Sequence, residues 1–290
     1  MQYHFKTEQG IKNLTREEAH RLAGENPDHA TQDLYEAIER GEYPAWKVCI
    51  QIMTPEQTQN YRWNIFDITK VWPHGDFPLI EIGRMVLNRN PVNYFADVEQ
   101  SAFCPGNLVP GIAPSPDKML QACLISYHDA HLYRLGTNDQ LLPVNAPKAT
   151  KADNYQRDGH MRFDRNAGDA PNYWPNSFGG PGPDPSVAEP PFPVSGHAGR
   201  HEQELTDDDF VQAGDLYRKV MTKEDRDHLI GNIVDHLGGA QKRIQLRQTA
   251  IFYKVDPEYG TRVAEGLGLD VKETERLAKM SQEERVKATS

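Results

Sequence analysis

The chain has 290 residues, and its 32 basic and 42 acidic side chains give a formal net charge of −10. No basic stripe stands out, which argues against a nucleic-acid partner. No apolar run reaches the roughly 20 residues that span a bilayer, and no signal-peptide pattern or peroxisomal Ser-Lys-Leu ending is present. The three cysteines, Cys49, Cys104 and Cys123, suggest a reducing compartment, so we expect a cytoplasmic protein.

Residues 1–90 are expected to combine strands with two short helices. Apolar residues alternate or run continuously in the predicted strands at 2–7, 46–53 and 79–87. Thr15-Arg16-Glu17-Glu18 is typical of a capping box that opens a helix. A second helix near 31–40 would end at Gly41.

Residues 91–205 are rich in Pro, Gly and Asn, and only one long helix is expected there, around 121–136. The stretch 176–185 cannot be a helix interior or a central strand. By composition it is typical of a disordered linker.

Residues 206–290 are predicted to be helical. Thr206-Asp207-Asp208-Asp209 and Thr222-Lys223-Glu224-Asp225 have acceptors and acids where helix N-termini favour them. Gly238-Gly239 would end one helix and Pro257 would begin another. Four or so antiparallel helices are therefore expected.

The helix around 121–136 has an unusual side-chain stripe. Cys123, Tyr127, His131 and Arg134 are spaced four, four and three residues apart, so they share one face. A phenol, an imidazole and a guanidinium on one face would suit a large anionic planar ligand with a metal. The alternative is an amphipathic helix whose tyrosine packs in a core and whose arginine is solvated.

The string Gln121-Ala122-Cys123-Leu124-Ile125-Ser126-Tyr127-His128-Asp129-Ala130-His131-Leu132-Tyr133-Arg134-Leu135-Gly136 resembles the proximal helix of the haem catalases of the small-subunit type. Further strings that resemble the family are Asp67-Ile68-Thr69-Lys70-Val71-Trp72-Pro73-His74, Val86 to Phe95, Pro114 to Gln121, Leu142-Pro143-Val144-Asn145 and Asn154 to Gly159. Several long strings in the right order make the resemblance specific. It covers nearly the whole chain and weakens in the final helical part.

The resemblance implies an α+β fold in three parts. Residues 1–90 would be the second half of an antiparallel β-barrel, residues 91–205 a long irregular wrapping segment with the haem-ligand helix, and residues 206–290 a C-terminal helical domain. Half a barrel exposes two edges. We therefore expect it to pair with the missing N-terminal half of a catalase or to form a homo-oligomer, which is a tetramer in the family.

The resemblance also implies a haem site. Tyr127 aligns with the tyrosine that is the axial ligand of the haem iron. Arg134 aligns with an arginine that meets a haem propionate, and Phe103, Met119 and His131 would help to wall the haem.

Two departures from the family pattern limit these expectations. The family has an arginine where this chain has Cys123. The positive charge of that arginine favours the phenolate form of the ligand, and Cys123 offers no comparable charge. Cys123 is either a competing thiolate ligand or a small buried residue. In the family, the distal histidine and asparagine that handle peroxide lie in the N-terminal part. None of the eleven histidines here lies in a sequence that resembles the distal motif. We therefore expect no catalytic residue in this chain, which resembles only the C-terminal portion of a catalase.

A second ligand site would hold a reduced dinucleotide, NADPH, as in some catalases. The matching positions are Lys6, Val71, Trp72, His74 and Gln212. A lysine and a histidine suit phosphates, and a tryptophan offers a flat apolar surface. The alternative for Trp72-Pro73-His74 is a turn with a buried aromatic ring.

Three functional hypotheses follow from the sequence. In the first, the chain is a truncated or split catalase, whose substrate hydrogen peroxide is decomposed to water and oxygen. In the second, it is a non-enzymatic remnant that binds haem or NADPH. In the third, it is a nonfunctional product that persists as an interaction fragment.

Overall fold

The computed structural model describes residues 1–151, 153–163, 167–188, 191, 195–197, 199–200 and 206–290. Its strands are β1 (Gln2–Thr7), β2 (Ala45–Gln51) and β3 (Ile80–Val86). Its α-helices are α1 (Arg16–Glu25), α2 (His29–Glu39), α3 (Pro55–Asn60), α4 (Lys118–Arg134), α5 (Asp208–Asp215), α6 (Lys223–Gly238), α7 (Lys242–Val255), α8 (Pro257–Gly266), α9 (Val271–Ala278) and α10 (Gln282–Ala288). The prediction of a mixed α and β chain with a helical C-terminal part is confirmed.

The three strands form one antiparallel sheet in the order β1-β2-β3. Gln2 faces Gln51 across the first pair, and Ala45 faces Val86 across the second. The register of the second pair shifts beside Val48, which marks a β-bulge. These strands form an open sheet rather than a closed barrel, and its outer strands leave edges that another strand can extend.

One face of this sheet is apolar and poorly covered. Tyr3, Phe5 and Ile80 share it with Ile50, because Tyr3 pairs with Ile50 and Ile50 pairs with Ile80. The side chains of Tyr3, Phe5 and Ile80 are 48%, 55% and 47% exposed. Exposed apolar surface of this kind marks a site of contact with other polypeptide.

The opposite face of the sheet packs on a small core around Gln51. Met53, Trp72 and Phe77 form a buried cluster there. Gln51 is fully buried, and its Nε2 donates to the carbonyl oxygen of Trp72 at 3.1 Å and to that of Phe77. Its Oε1 lies 2.8 Å from the His4 ring Nε2. One side chain therefore links β1, β2 and the loop 72–77.

Helix starts in the first part follow their capping residues. Thr15 accepts a hydrogen bond from the Glu18 N–H, and the predicted capping box is confirmed. The second helix begins at His29, slightly before the expected start. Helix α3 was not predicted, although Thr54 and Gln57 form a second capping box at its start.

The middle of the chain is irregular, as expected. Within the described residues of 91–205, the only long helix is α4, and single turns occur at Phe95–Glu99, Asp139–Leu141 and Pro185–Val187. Residues 201–205, which the sequence analysis placed at the end of this segment, lie outside the described residues.

The C-terminal part contains six α-helices, so the expected number of four or so was too low. The predicted start at Thr222 is confirmed by a capping box with Asp225, and Pro257 begins α8. The two buried clusters of this part are centred on Tyr217, Ile230, Tyr259 and Val263, and on Ala250, Leu277 and Ala278. Gly260 allows α8 to approach α7 closely, because a Cβ there would overlap the backbone of Tyr253.

Candidate functional site

Helix α4 carries all four residues of the predicted stripe. It begins where the Asp117 carboxylate accepts a hydrogen bond from the Leu120 N–H at 2.7 Å. It ends at Leu135, and Gly136 follows with φ of 100°, a conformation that favours glycine after a helix. Local sequence therefore fixes both ends of the helix that presents Tyr127.

The C-terminal half of α4 holds the chain segment at residues 99–103 in place. The Arg134 guanidinium donates to the carbonyl oxygens of Glu99 and Ser101 at 2.6 and 2.8 Å. The His131 ring Nε2 lies 3.1 Å from the carbonyl oxygen of Phe103. His131 and Arg134 therefore hold the backbone of residues 99–103 in place. The two bonds from Arg134 use two of its five N–H groups.

Asn145 supports the same segment from the other side, a role that the sequence analysis did not assign. Its Oδ1 accepts from the Ala102 N–H at 2.8 Å, and its Nδ2 donates to the carbonyl oxygens of Gln100 and Asp139 at 2.9 and 3.0 Å. The sequence signal for this role is the asparagine within the family-like string 142–145, because an amide side chain both donates and accepts hydrogen bonds.

Tyr127 is presented at the surface of α4. Its ring meets that of His131 edge-on, with 6.2 Å between centroids and 75° between planes. The side chain is 46% exposed, and its hydroxyl has no hydrogen-bond partner among the described residues. His131 is buried, and its Nδ1 has no partner in the described part of the chain either. A phenol in this state is free to bind a metal.

The four residues of the stripe differ in burial. His131 is its only buried member, Cys123 is half-buried, and Tyr127 and Arg134 are exposed. Such a face suits a ligand that would cover it.

The predicted wall residues are apolar and open. Phe103 is 85% exposed and Met119 is 55% exposed. Phe103 is the last residue of the segment 99–103, and its carbonyl oxygen lies beside the His131 ring, so the two residues are close together. Met119 precedes Tyr127 by eight residues, which is about 12 Å along a helix axis. The structure therefore groups Tyr127, His131 and Phe103, and it leaves Met119 two turns away.

Cys123 lies one helical turn before Tyr127 and carries a free, half-buried thiol. Arg134 is the basic residue of α4 that was expected to contact the ligand. It lies two turns after Tyr127, and its guanidinium donates to carbonyl oxygens. No residue of α4 therefore replaces the charge that the family's arginine would supply at position 123.

The positions expected to hold a dinucleotide meet where the first part of the chain touches α5. The Val71 N–H donates to the Gln212 side chain and the Gln212 amide donates to the Val71 carbonyl, both at 2.9 Å. Beside them, Lys70 and Asp209 form an ion pair at 3.2 Å. A hydrogen bond from the Thr206 N–H, and then the charge of Lys70, hold the pKa of Asp209 below its usual value.

The remaining dinucleotide positions differ from one another in exposure. Lys6 and His74 are exposed, and the His74 ring meets His4 of β1 edge-on at 5.9 Å. Trp72 is only 7% exposed and packs on Phe77, so the expectation of a flat apolar ligand surface is corrected. The buried-aromatic turn, the alternative from the sequence, describes Trp72 better.

The part of the chain that the structure describes holds no group of three or more His, Cys, Asp or Glu side chains that could bind a metal ion. No helix within it is both long enough and apolar enough to cross a membrane.

Fold and site together define an α+β protein in which helix α4 presents a tyrosine whose hydroxyl has no hydrogen-bond partner among the described residues. A family model described as catalase matches residues 1–180, and a model described as catalase-related immune-responsive matches residues 203–267. The chain belongs to the catalase family. The resemblance stated from the sequence, to a family whose members bind haem, is confirmed.

Relatives and solved structures agree with this assignment. A catalase of Methanosarcina barkeri is 66% identical over 289 residues, which are 100% of this chain and 57% of that protein. Catalase-A of Dictyostelium discoideum is 53% identical over 96% of this chain and 56% of its own length. The structure of catalase A from Saccharomyces cerevisiae matches with a TM-score of 0.84 and 43% identity, covering 91% of this chain and 56% of that one. The chain thus spans little more than half the length of the relatives it matches.

Proposed function

We propose that this chain is the haem-holding part of a catalase, an enzyme that decomposes hydrogen peroxide to water and oxygen. The observation that carries the proposal is the hydroxyl of Tyr127, which is exposed and unpartnered among the described residues on a helix with the catalase motif. The chain would supply this part of the enzyme, since it matches 57% of the length of its relative from Methanosarcina barkeri.

The residues present fit a haem. The Tyr127 phenol oxygen would hold the iron, and the remaining N–H groups of Arg134 would meet a propionate. Phe103 and Met119 offer exposed apolar surface that a porphyrin would cover, and His131 would support the Tyr127 ring from the protein side. When bound, haem supplies the redox chemistry of peroxide decomposition. The chain's own contribution is to bind it, orient it and exclude water from one face.

The distal side of the site would come from residues outside the sequence described here. The open edges of the sheet and the half-exposed apolar side chains Tyr3, Phe5 and Ile80 support a partner that completes a β-barrel. The partner is the N-terminal half of a catalase or a second copy within a homo-oligomer. The three parts 1–90, 91–205 and 206–290 would then be a half barrel, a wrapping segment and a helical domain. Cytoplasmic location stays a prediction.

A second candidate function is a non-enzymatic haem or NADPH binder. Cys123 favours it, because the position offers no positive charge one turn from Tyr127. Lys6 and His74 remain exposed and could meet the phosphates of a dinucleotide, with Val71 and Gln212 beside them. In this case haem uptake would proceed without rapid peroxide turnover.

One experiment tests the proposal. Haemin is titrated into the wild-type chain, Tyr127→Phe and Tyr133→Phe, and the absorption spectrum and the peroxide turnover of each sample are recorded. Tyr133 is a matched control, because it is 88% exposed on the same helix. We expect a tyrosinate-type spectrum in the wild type and in Tyr133→Phe, its loss in Tyr127→Phe, and little turnover in every sample.

Two results would contradict parts of the proposal. Identical spectra for the wild type and Tyr127→Phe would show that Tyr127 is not the ligand. Vigorous turnover by the chain alone would show that the distal residues need not come from outside the sequence described here.

A further inference from the structure

An open cavity lies between two of the C-terminal helices, outside the candidate haem site. Its volume is about 250 Å³, and its walls come from one face of α7 and one face of α10. The lining residues recur at helical spacing along both helices: Ile244, Arg247, Gln248 and Ile251 on α7, and Gln282, Arg285 and Val286 on α10. The cavity therefore combines apolar side chains, two amides and two guanidinium groups.

Arg285 is the least usual member of this lining. It is only 6% exposed, although arginine is rarely buried unless it is paired with an acid. Its Nε donates to the carbonyl oxygen of Leu277 at 3.1 Å and its Nη2 to that of Met280 at 3.0 Å. The Nη1 group has no hydrogen bond among the described residues, and it is not sealed from solvent. Arg285 lines the cavity, so this group is available to an acceptor that binds there.

Arg247 is held in a matching way from the opposite helix. Its Nε donates to the Thr289 hydroxyl at 2.6 Å, and its Nη2 donates to the Val286 carbonyl at 3.1 Å. Thr289 is itself fixed, since its hydroxyl donates to the Arg285 carbonyl at 2.7 Å. Each guanidinium is thus oriented by two bonds and keeps its Nη1 group for another acceptor.

No carboxylate of the described residues neutralises this pair of arginines. Neither Arg247 nor Arg285 forms an ion pair with a described acid, even though the chain as a whole carries a net charge of −10. The acid nearest in sequence on the lining helix, Glu284, accepts a hydrogen bond from the Ser281 N–H at the helix start. Burial lowers the pKa of Arg285, but an arginine stays protonated at physiological pH. Two fixed positive charges therefore meet in one partly apolar cavity.

We propose that this cavity binds a small carboxylate with a short apolar tail. The carboxylate would accept hydrogen bonds from the Nη1 groups of Arg247 and Arg285, because guanidinium groups are strong donors to carboxylates. The tail would lie against Ile244, Ile251 and Val286, two of which, Ile244 and Val286, are 41% and 40% exposed. A volume below the roughly 300–1,000 Å³ of sites for drug-sized ligands limits the ligand to a small molecule.

The test is calorimetric titration of the full chain with three probes: octanoate, inorganic phosphate and octanol. Octanoate should bind, and both phosphate and octanol should bind at least tenfold more weakly, because one lacks the tail and the other lacks the charge. Arg247→Gln should weaken octanoate at least tenfold. Arg243→Gln is the matched control, since Arg243 lies on the same helix, is exposed and donates to Gln241 outside the cavity. It should bind octanoate as the wild type does.

A second variant removes the space and keeps the charges. Ile251→Trp would fill the cavity, and we expect it to lose octanoate binding while its thermal unfolding without ligand shows that it is folded. Equal octanoate affinity in Arg247→Gln and Arg243→Gln would overturn the role of the arginines. Octanol binding as tight as octanoate would do the same, and phosphate binding as tight as octanoate would overturn the role of the apolar tail.

Discussion

Replacing Gln51 by leucine should strongly destabilise the first part of the chain. Gln51 is fully buried, and its amide is the described donor to the carbonyl oxygens of both Trp72 and Phe77. Its Oε1 also pairs with the His4 ring. Leucine has a similar volume but no polar atom, so Gln51→Leu removes three hydrogen bonds without creating a large cavity. The partners remain buried, and water has little access to them.

The magnitude follows from the groups that are left unpaired. A buried polar group that loses its partner costs about 1–3 kcal/mol, so two carbonyl oxygens cost about 2–6 kcal/mol. The His4 ring is half-buried and recovers part of its loss by bonding water. The transfer of leucine into the core offsets about 1 kcal/mol or more of the cost. We therefore expect the free energy of unfolding to fall by about 2–4 kcal/mol, which is a large share of the 5–15 kcal/mol of a typical domain.

Urea unfolding followed by tryptophan fluorescence would measure this loss, because Trp72 lies in the affected cluster. Gln2→Leu is a suitable control. Gln2 faces Gln51 across the strand pair, and its side chain forms no hydrogen bond with the described residues. The reasoning would be refuted if Gln51→Leu and Gln2→Leu unfolded within about 0.5 kcal/mol of each other, which is the ordinary range of surface substitutions.

Two pH effects are also expected. Burial, and then the neighbouring Tyr217, raise the pKa of Tyr259 to about 12, so stability is complete below the usual tyrosine value of about 10 and falls as pH rises through the folded value. In alkaline urea titrations Tyr259→Phe should flatten this fall, and an unchanged fall would contradict the assignment. The pKa of Asp209 is lowered by the Thr206 N–H and then by Lys70, so its contribution is present above about pH 3.9 and is lost as pH falls further. Asp209→Asn should reduce this acid sensitivity of the unfolding midpoint, and equal slopes in both proteins would exclude it.

The parts of the fold that could be predicted from the sequence depend on local chemistry. The capping boxes at Thr15 and Thr222 and the proline that begins α8 are read directly from side chains next to helix ends. Helix α3 was missed because its six residues, from Pro55, are polar and show no hydrophobic period, although Thr54 and Gln57 carried the signal.

Contacts between distant parts of the chain could not be predicted in this way. The partners of Arg134 are backbone carbonyls at Glu99 and Ser101, and a carbonyl has no signature in the sequence. The spacing of Tyr127 and His131 correctly placed them on one face, but it did not show that only His131 would be covered. Burial depends on what packs against a helix from distant parts of the chain, and the spacing of residues within the helix carries no information about that. The burial of Arg285 could not be predicted for the same reason, and arginine is usually exposed.

The structure separates two properties of the tyrosine site that the sequence could only list together. Helix α4 is held in place through His131 and Arg134, which bond to the segment 99–103, and no such bond involves Cys123. Exchange of the family's arginine for cysteine therefore leaves the placement of Tyr127 intact while it removes a positive charge one turn away. Placement decides whether haem can be bound, whereas charge beside the phenol influences the reactivity of the iron. Haem uptake and peroxide turnover are consequently separable, and the absorption spectrum of a haemin-loaded sample reports the placement of Tyr127 whether or not that sample decomposes peroxide.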